Sequence, residues 1–113
     1  MKIVRNSIIP FKGFVAINLF GVLFVRKNVV LSDARYQRMI RHETTHTKQM
    51  KELLYLPFYV LYVLEWLVRL VMYREARKAY RNISFEREAY ANQDNVFYNA
   101  GRKRYAFLKY IKK

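Results

Sequence analysis

Residues 42–46 read His-Glu-Thr-Thr-His and use both histidines of the chain. On an α-helix, residues four apart project from one face, so His42 and His46 can close on one metal ion with Glu43 alongside. Neutral imidazole nitrogens bind Zn²⁺ at about 2.0–2.1 Å, and a catalytic zinc keeps one tetrahedral position open for water. The ion lowers the pKa of such a water to roughly 7, and a carboxylate placed like Glu43 can take its proton and pass it to a leaving group. Two ligands are too few. With no cysteine and no further histidine, a carboxylate is the strong zinc ligand left to complete the set.

Candidates for that ligand lie in Ser84-Phe85-Glu86-Arg87-Glu88-Ala89-Tyr90. With HExxH followed by this segment, the chain resembles the gluzincin group of zinc peptidases, in which a later helix supplies a glutamate ligand as ExxA, often with Asp four residues on. Its small size resembles the minimal members, the minigluzincins. Glu86-Arg87-Glu88-Ala89 matches ExxA, and Glu88-Ala89-Tyr90-Ala91 matches it as well. The resemblance therefore implies Glu86 as the third ligand, with Glu88 as the alternative. The position of the group's Asp is Tyr90 in the first case and Asn92 in the second. Either can hydrogen-bond an imidazole, but neither carries the charge that raises its basicity. The resemblance also implies Glu43 as the catalytic carboxylate, a peptide or protein substrate, and an edge strand above the helix that holds the substrate backbone. An oxyanion donor is needed too, and Tyr90, Tyr98 and Arg69 qualify by residue type.

The elements that must position these groups follow from local pattern. Phe14–Asn18 and Val22–Val25 are β-branched and aromatic runs flanked by glycine, which predicts two antiparallel strands, covered on both faces because their apolarity is nearly continuous. Residues 28–31 add a short extended piece. Ser32 or Asp33 caps a helix running to about Leu54, whose stripe at 36, 39, 43, 46, 50 and 53 places Glu43 and His46 among apolar residues. Polar groups on such a face cost free energy unless paired or metal-bound. Pro57 opens a second helix to about Tyr73. Arg74–Arg81 is amphipathic, residues 82–84 form a break, and Ser84 begins a helix running to about Asn99 that ends before Gly101. A short basic, aromatic helix follows from Arg102. The expected fold is α+β: one mostly helical domain, with a small N-terminal antiparallel ribbon packed on the active-site helix in zincin-like fashion.

The chain has 113 residues, no cysteine and a net charge of +14. That length builds one core but not two lobes, so any cleft is shallow or shared. The positive charge suits an anionic partner, and without an RNP pattern, finger spacing or phosphate loop a membrane surface fits better than nucleic acid. Leu53–Met72 spans 20 residues, enough to cross a bilayer. Pro57 and the Glu65/Arg69 pair argue instead for a core helix, with interfacial or spanning placement as its rival. Met1–Pro10 lack the apolar run of a secretory signal, which predicts a cytoplasmic or membrane-associated protein. Four functions stand open: a zinc peptidase, a basic membrane-associated protein inserting residues 53–72, a metal-binding protein without turnover, which includes a cleft filled by its own C-terminal tail, and, on charge alone, non-specific nucleic-acid binding. No motif sets the oligomeric state.

Overall fold

Phe20 and Gly21 both take positive φ, 53° and 88°, and form the two-residue hairpin turn whose twist matches that of its strands. Gly21 adopts this conformation freely. Phe20 is held there by its N–H, which donates to Tyr59 Oη at 2.8 Å. In this computed structural model, which describes residues 2–6, 16–26 and 31–111, the turn joins β2 (Ala16–Leu19) to β3 (Val22–Arg26). A further strand, β1 (Lys2–Asn6), pairs with β3 in parallel, giving the order β1-β3-β2. The antiparallel ribbon is thus present and gains a third strand. Its faces differ: Leu23 and Val25 are buried whereas Val22 and Phe24 keep partial exposure, so only one face is sealed. The expected strand positions 14 and 15, and residues 28–30, lie outside the described residues.

Helix α1 (Asp33–Glu52) starts at Ser32, whose Oγ accepts from the Arg35 N–H. It turns the buried side chains of His42, Thr45, His46, Gln49 and Met50 toward the rest of the molecule. Leu54 and Tyr55 then take positive φ and reverse the chain into α2 (Leu56–Tyr73), with Pro57 in its first turn. Helix α2 is not the central core helix suggested by its composition. Only Phe58 and Arg69 are buried, because a chain this small covers one side of a helix that is apolar nearly all round.

After α3 (Ala76–Arg81), helix α4 (Ser84–Asn92) carries Glu86 and Glu88. It ends seven residues before the expected Asn99. Asn95 Oδ1 accepts from the Phe97 N–H, a local turn that competes with helix propagation, and α5 is confined to Tyr98–Gly101. A 3₁₀ helix, Ala106–Tyr110, packs back on α4. Met50, Phe58, Ile83, Phe85 and Phe107 form the core that locks α1, α2, α4 and the tail together.

The start of α4 is fixed from α2. Glu65 accepts from the Ser84 N–H and the Ser84 hydroxyl, each at 2.6 Å, supplying from a distance the carboxylate a helix N-terminus attracts. Removing it leaves a buried donor unpaired, so Glu65→Ala is expected to cost about 2 kcal/mol in urea unfolding. An unchanged midpoint would contradict this role.

Candidate metal centre

One turn apart on α1, the His42 and His46 rings sit 4.8 Å apart between centroids. Their Nε2 atoms are 3.1 Å from each other. Glu86 Oε1, arriving from α4, lies 3.0 Å from the first and 3.1 Å from the second. All three residues are buried. Ligand atoms on a tetrahedral ion with bonds of 2.0–2.1 Å stand about 3.3 Å apart, so this triangle has nearly the required size.

The other ring nitrogens decide the protonation pattern. His42 Nδ1 is 2.9 Å from Gln93 Oε1, and His46 Nδ1 is 2.8 Å from Gln49 Oε1. A carbonyl oxygen only accepts, so each Nδ1 donates its hydrogen and each neutral ring turns a lone pair inward from Nε2. The orientation of Gln49 is itself fixed, since its Nε2 donates to Phe85 O and to Glu88 Oε1. Three acceptors therefore converge with no donor among them. The buried His-His-Glu group could hold a metal ion, and its donors fit one.

Without metal, a proton must fill that role. Burial opposes charge on His46, but the Glu86 carboxylate overrides it and raises the imidazole from 6.5 to about 9. Burial likewise works against an ionised Glu86, yet the two imidazoles hold it well below the usual carboxylate range. Tyr62 Oη donates to Glu86 Oε2 at 2.5 Å, and the phenol is held protonated by burial and by that carboxylate.

Glu88 takes a different part. It is fully buried, accepts from Arg102 at 2.6 and 3.1 Å, from Tyr98 Oη at 2.5 Å and from Gln49, and so belongs to the scaffold behind His46. Burial resists its charge, but these bonds lower its pKa and keep it ionised. Arg102 also pairs with Glu52, tying the tail to α1. The structure thus brings Glu86, not Glu88, to the histidines. Tyr90 does not bond an imidazole: its ring packs edge-on against His42 and its hydroxyl meets that of Tyr80. Gln93 holds that imidazole instead. Asn92 donates to Glu88 O and Tyr110 Oη.

A cleft of about 410 Å³ opens between β2 and α2, with Glu43, His46 and Glu86 among its lining and Tyr59, Tyr62 and Tyr80 along its walls. An adjoining depression shares Ala16, Glu43 and Tyr80 with it, so a continuous groove passes Glu43. Desolvation in this groove raises the Glu43 carboxyl above its ordinary pKa, although both imidazoles oppose the rise. Asn18 ties β2 to α1 by donating to Glu43 O and Thr47 Oγ1. Neither Tyr98 nor Arg69 lines the groove; Arg69 pairs with Glu65 at 3.5 Å. Tyr62, Tyr80, Gln49 and Gln93 are the site residues that sequence reasoning missed. Of these, Gln49 alone had a visible signal, three residues after His46 on the same helix face.

No protein-family model, curated protein or solved structure matches this chain.

Glu86→Ala is expected to abolish tight binding of one divalent ion per chain, and Glu88→Gln to weaken it roughly 10- to 100-fold by loosening Gln49. Equal loss in both variants by metal titration would contradict the division of labour. The metal-free site also sets a pH dependence. The raised His46 contributes stability fully below pH 6.5 and loses it as pH rises through about 9. Glu86, being lowered, contributes above about 4.5 and loses its share in acid. Chelator-treated protein should therefore show a lower urea midpoint at pH 9 than at 6.5; a flat or rising midpoint would refute the shared-proton picture.

Proposed function

We propose that this chain is a single-domain, zinc-dependent peptidase of gluzincin type. The observation that carries the reading is the meeting of His42, His46 and Glu86 beside Glu43, in a groove bordered by strand β2. Two imidazoles and a carboxylate, without sulfur, form a donor set suited to zinc that leaves a fourth position free. Bound zinc supplies Lewis acidity there, polarising a carbonyl and acidifying water.

The chain's own residues supply the rest. Glu43, beside the ligands, would accept a proton on its carboxylate from water and return it to the departing amine. Tyr62 and the glutamines fix the ligands, which removes reorganisation from the reaction. Leu19 faces Val22 across the two-residue turn, so the register turns the backbone groups of Ala16 to the outer edge of β2, while Asn18 O on the same edge accepts from Tyr59 Oη. An extended peptide can add to the edge at Ala16, passing Glu43. Tyr80, which borders both halves of the groove and stays protonated through burial, is a candidate donor to a developing oxyanion, with its hydroxyl now meeting that of Tyr90.

A second reading, metal binding without turnover, is favoured by one feature. Both ligand imidazoles donate to neutral glutamines, so neither gains the basicity a carboxylate partner gives. Self-blockage by the tail has no such support: among the described residues, those after Arg102 line neither half of the groove, and the 3₁₀ helix rests on α4.

Glu43→Gln separates the two functions. It is expected to retain one zinc per chain and to lose cleavage of an unstructured peptide by roughly 10²- to 10⁴-fold. Wild-type protein loaded with zinc that cleaves no member of a mixed peptide library would leave the binding reading in place of the peptidase.

A further inference from the structure

Helix α2 presents two unlike sides. Its inner side is committed to the fold through Phe58, through Tyr62 on Glu86 and through Glu65 on Ser84. Its outer side follows the spacing Leu56, Val60, Val63, Leu67 and Val71, widened by Leu61, Leu64, Val68 and Met72. These nine side chains are each 44–77% exposed. Together they leave on the order of 800 Å² of apolar surface open, beyond the roughly 300–600 Å² that a soluble monomer carries as its largest patch. No charge interrupts this face, because Glu65 and Arg69 both turn inward.

The patch continues onto the tail. A groove of about 530 Å³ between α2 and the 3₁₀ helix is bordered by Leu61, Leu64, Val68, Leu108 and Ile111, the last two more than half exposed. Cations adjoin it at both places: Arg74, Arg77 and Lys78 follow the end of α2, and Lys103, Arg104 and Lys109 lie on the tail, all exposed. An apolar helix face bordered by basic residues has the composition of an interfacial helix.

We propose that the outer face of α2, with Leu108 and Ile111, docks onto an anionic lipid bilayer, its apolar side chains among the acyl chains and its flanking cations at the headgroups. Charge selects this occupant over a second copy. Each chain carries +14, so a copy would bring the same cations to the contact, and the exposed Glu75 between Arg74 and Arg77 offsets one of those charges at most. Although α2 is long and apolar enough to cross a membrane, it lies in the interface plane. Crossing would pull Tyr62 from Glu86 and Glu65 from Ser84. The inference is independent of peptidase activity, since no ligand or cleft catalyst takes part.

The test is sedimentation of the full-length chain with phosphatidylcholine vesicles, with and without phosphatidylglycerol. The chain is expected to pellet with the anionic vesicles and remain in solution with the neutral ones. Arg77→Ala with Lys78→Ala should weaken binding roughly thirtyfold, at about a tenfold factor for each 1.4 kcal/mol and about 1 kcal/mol per cation. Val60→Asp with Val71→Asp, both on the exposed face and so sparing the core, should abolish it while zinc content and circular dichroism stay native. Because the chain has no cysteine, a polarity-sensitive dye on Val71→Cys reads insertion directly and should shift to the blue on anionic vesicles. A chain that ignores anionic vesicles, an aspartate variant that still binds them, or a lipid-indifferent dimer dispersed by the aspartates would each overturn the proposal.

Discussion

Three lone pairs, on Nε2 of His42, Nε2 of His46 and Oε1 of Glu86, face one another across 3.0–3.1 Å inside the protein. Left alone they repel, and burial removes the water that would soften the repulsion. A cation, whether a proton or a metal ion, turns the same arrangement into attraction. The surrounding polar network makes sense as a device for keeping these atoms in place until that cation arrives. Gln93 holds one ring from beyond the end of α4, Gln49 holds the other from α1, and Tyr62 fixes the carboxylate from α2. Behind Gln49 stands Glu88, and behind Glu88 stands Arg102, which also grips Glu52. A polar core of this kind is costly when partly satisfied and rigid when complete.

Helix α2 stands between two environments. Its inner side supplies a hydrogen bond to a ligand, the cap for the ligand helix and part of the aromatic core. Its outer side offers almost nothing but hydrocarbon. That combination explains why the helix is not the buried centre of the fold. The apolar excess is more than the interior of a 113-residue chain can cover.

What could be read from sequence was what is set locally. The HExxH spacing, the Ser32 cap and the restart of helix at Pro57 each depend on residues a turn or less apart, and each stands where expected. The hairpin was legible from its glycine and β-branched runs. Strand β1 was not, since Lys2–Asn6 mixes charge with two apolar residues and its strand identity comes from parallel pairing with a segment some 20 residues away. The preference for Glu86 over Glu88 came from the resemblance, since nothing in the local pattern of the residues separates the two. Two residues apart on a helix point in nearly opposite directions, and only the packing of α4 on α1 decides which one meets the histidines. Both are buried, and the difference lies in their partners: imidazoles for one, Arg102 and Gln49 for the other. Tyr62 and Tyr80 gave no signal in the sequence, because nothing near them in the chain marks their hydroxyls as wanted.

The most direct measurement is anomalous scattering across the zinc absorption edge from crystals of the zinc-repleted protein. A single peak is expected within about 2.0–2.1 Å of His42 Nε2, His46 Nε2 and a Glu86 carboxylate oxygen together. No peak at that point after repletion, or an ion bound elsewhere while these three side chains keep their present contacts, would contradict the metal centre and the function proposed for it.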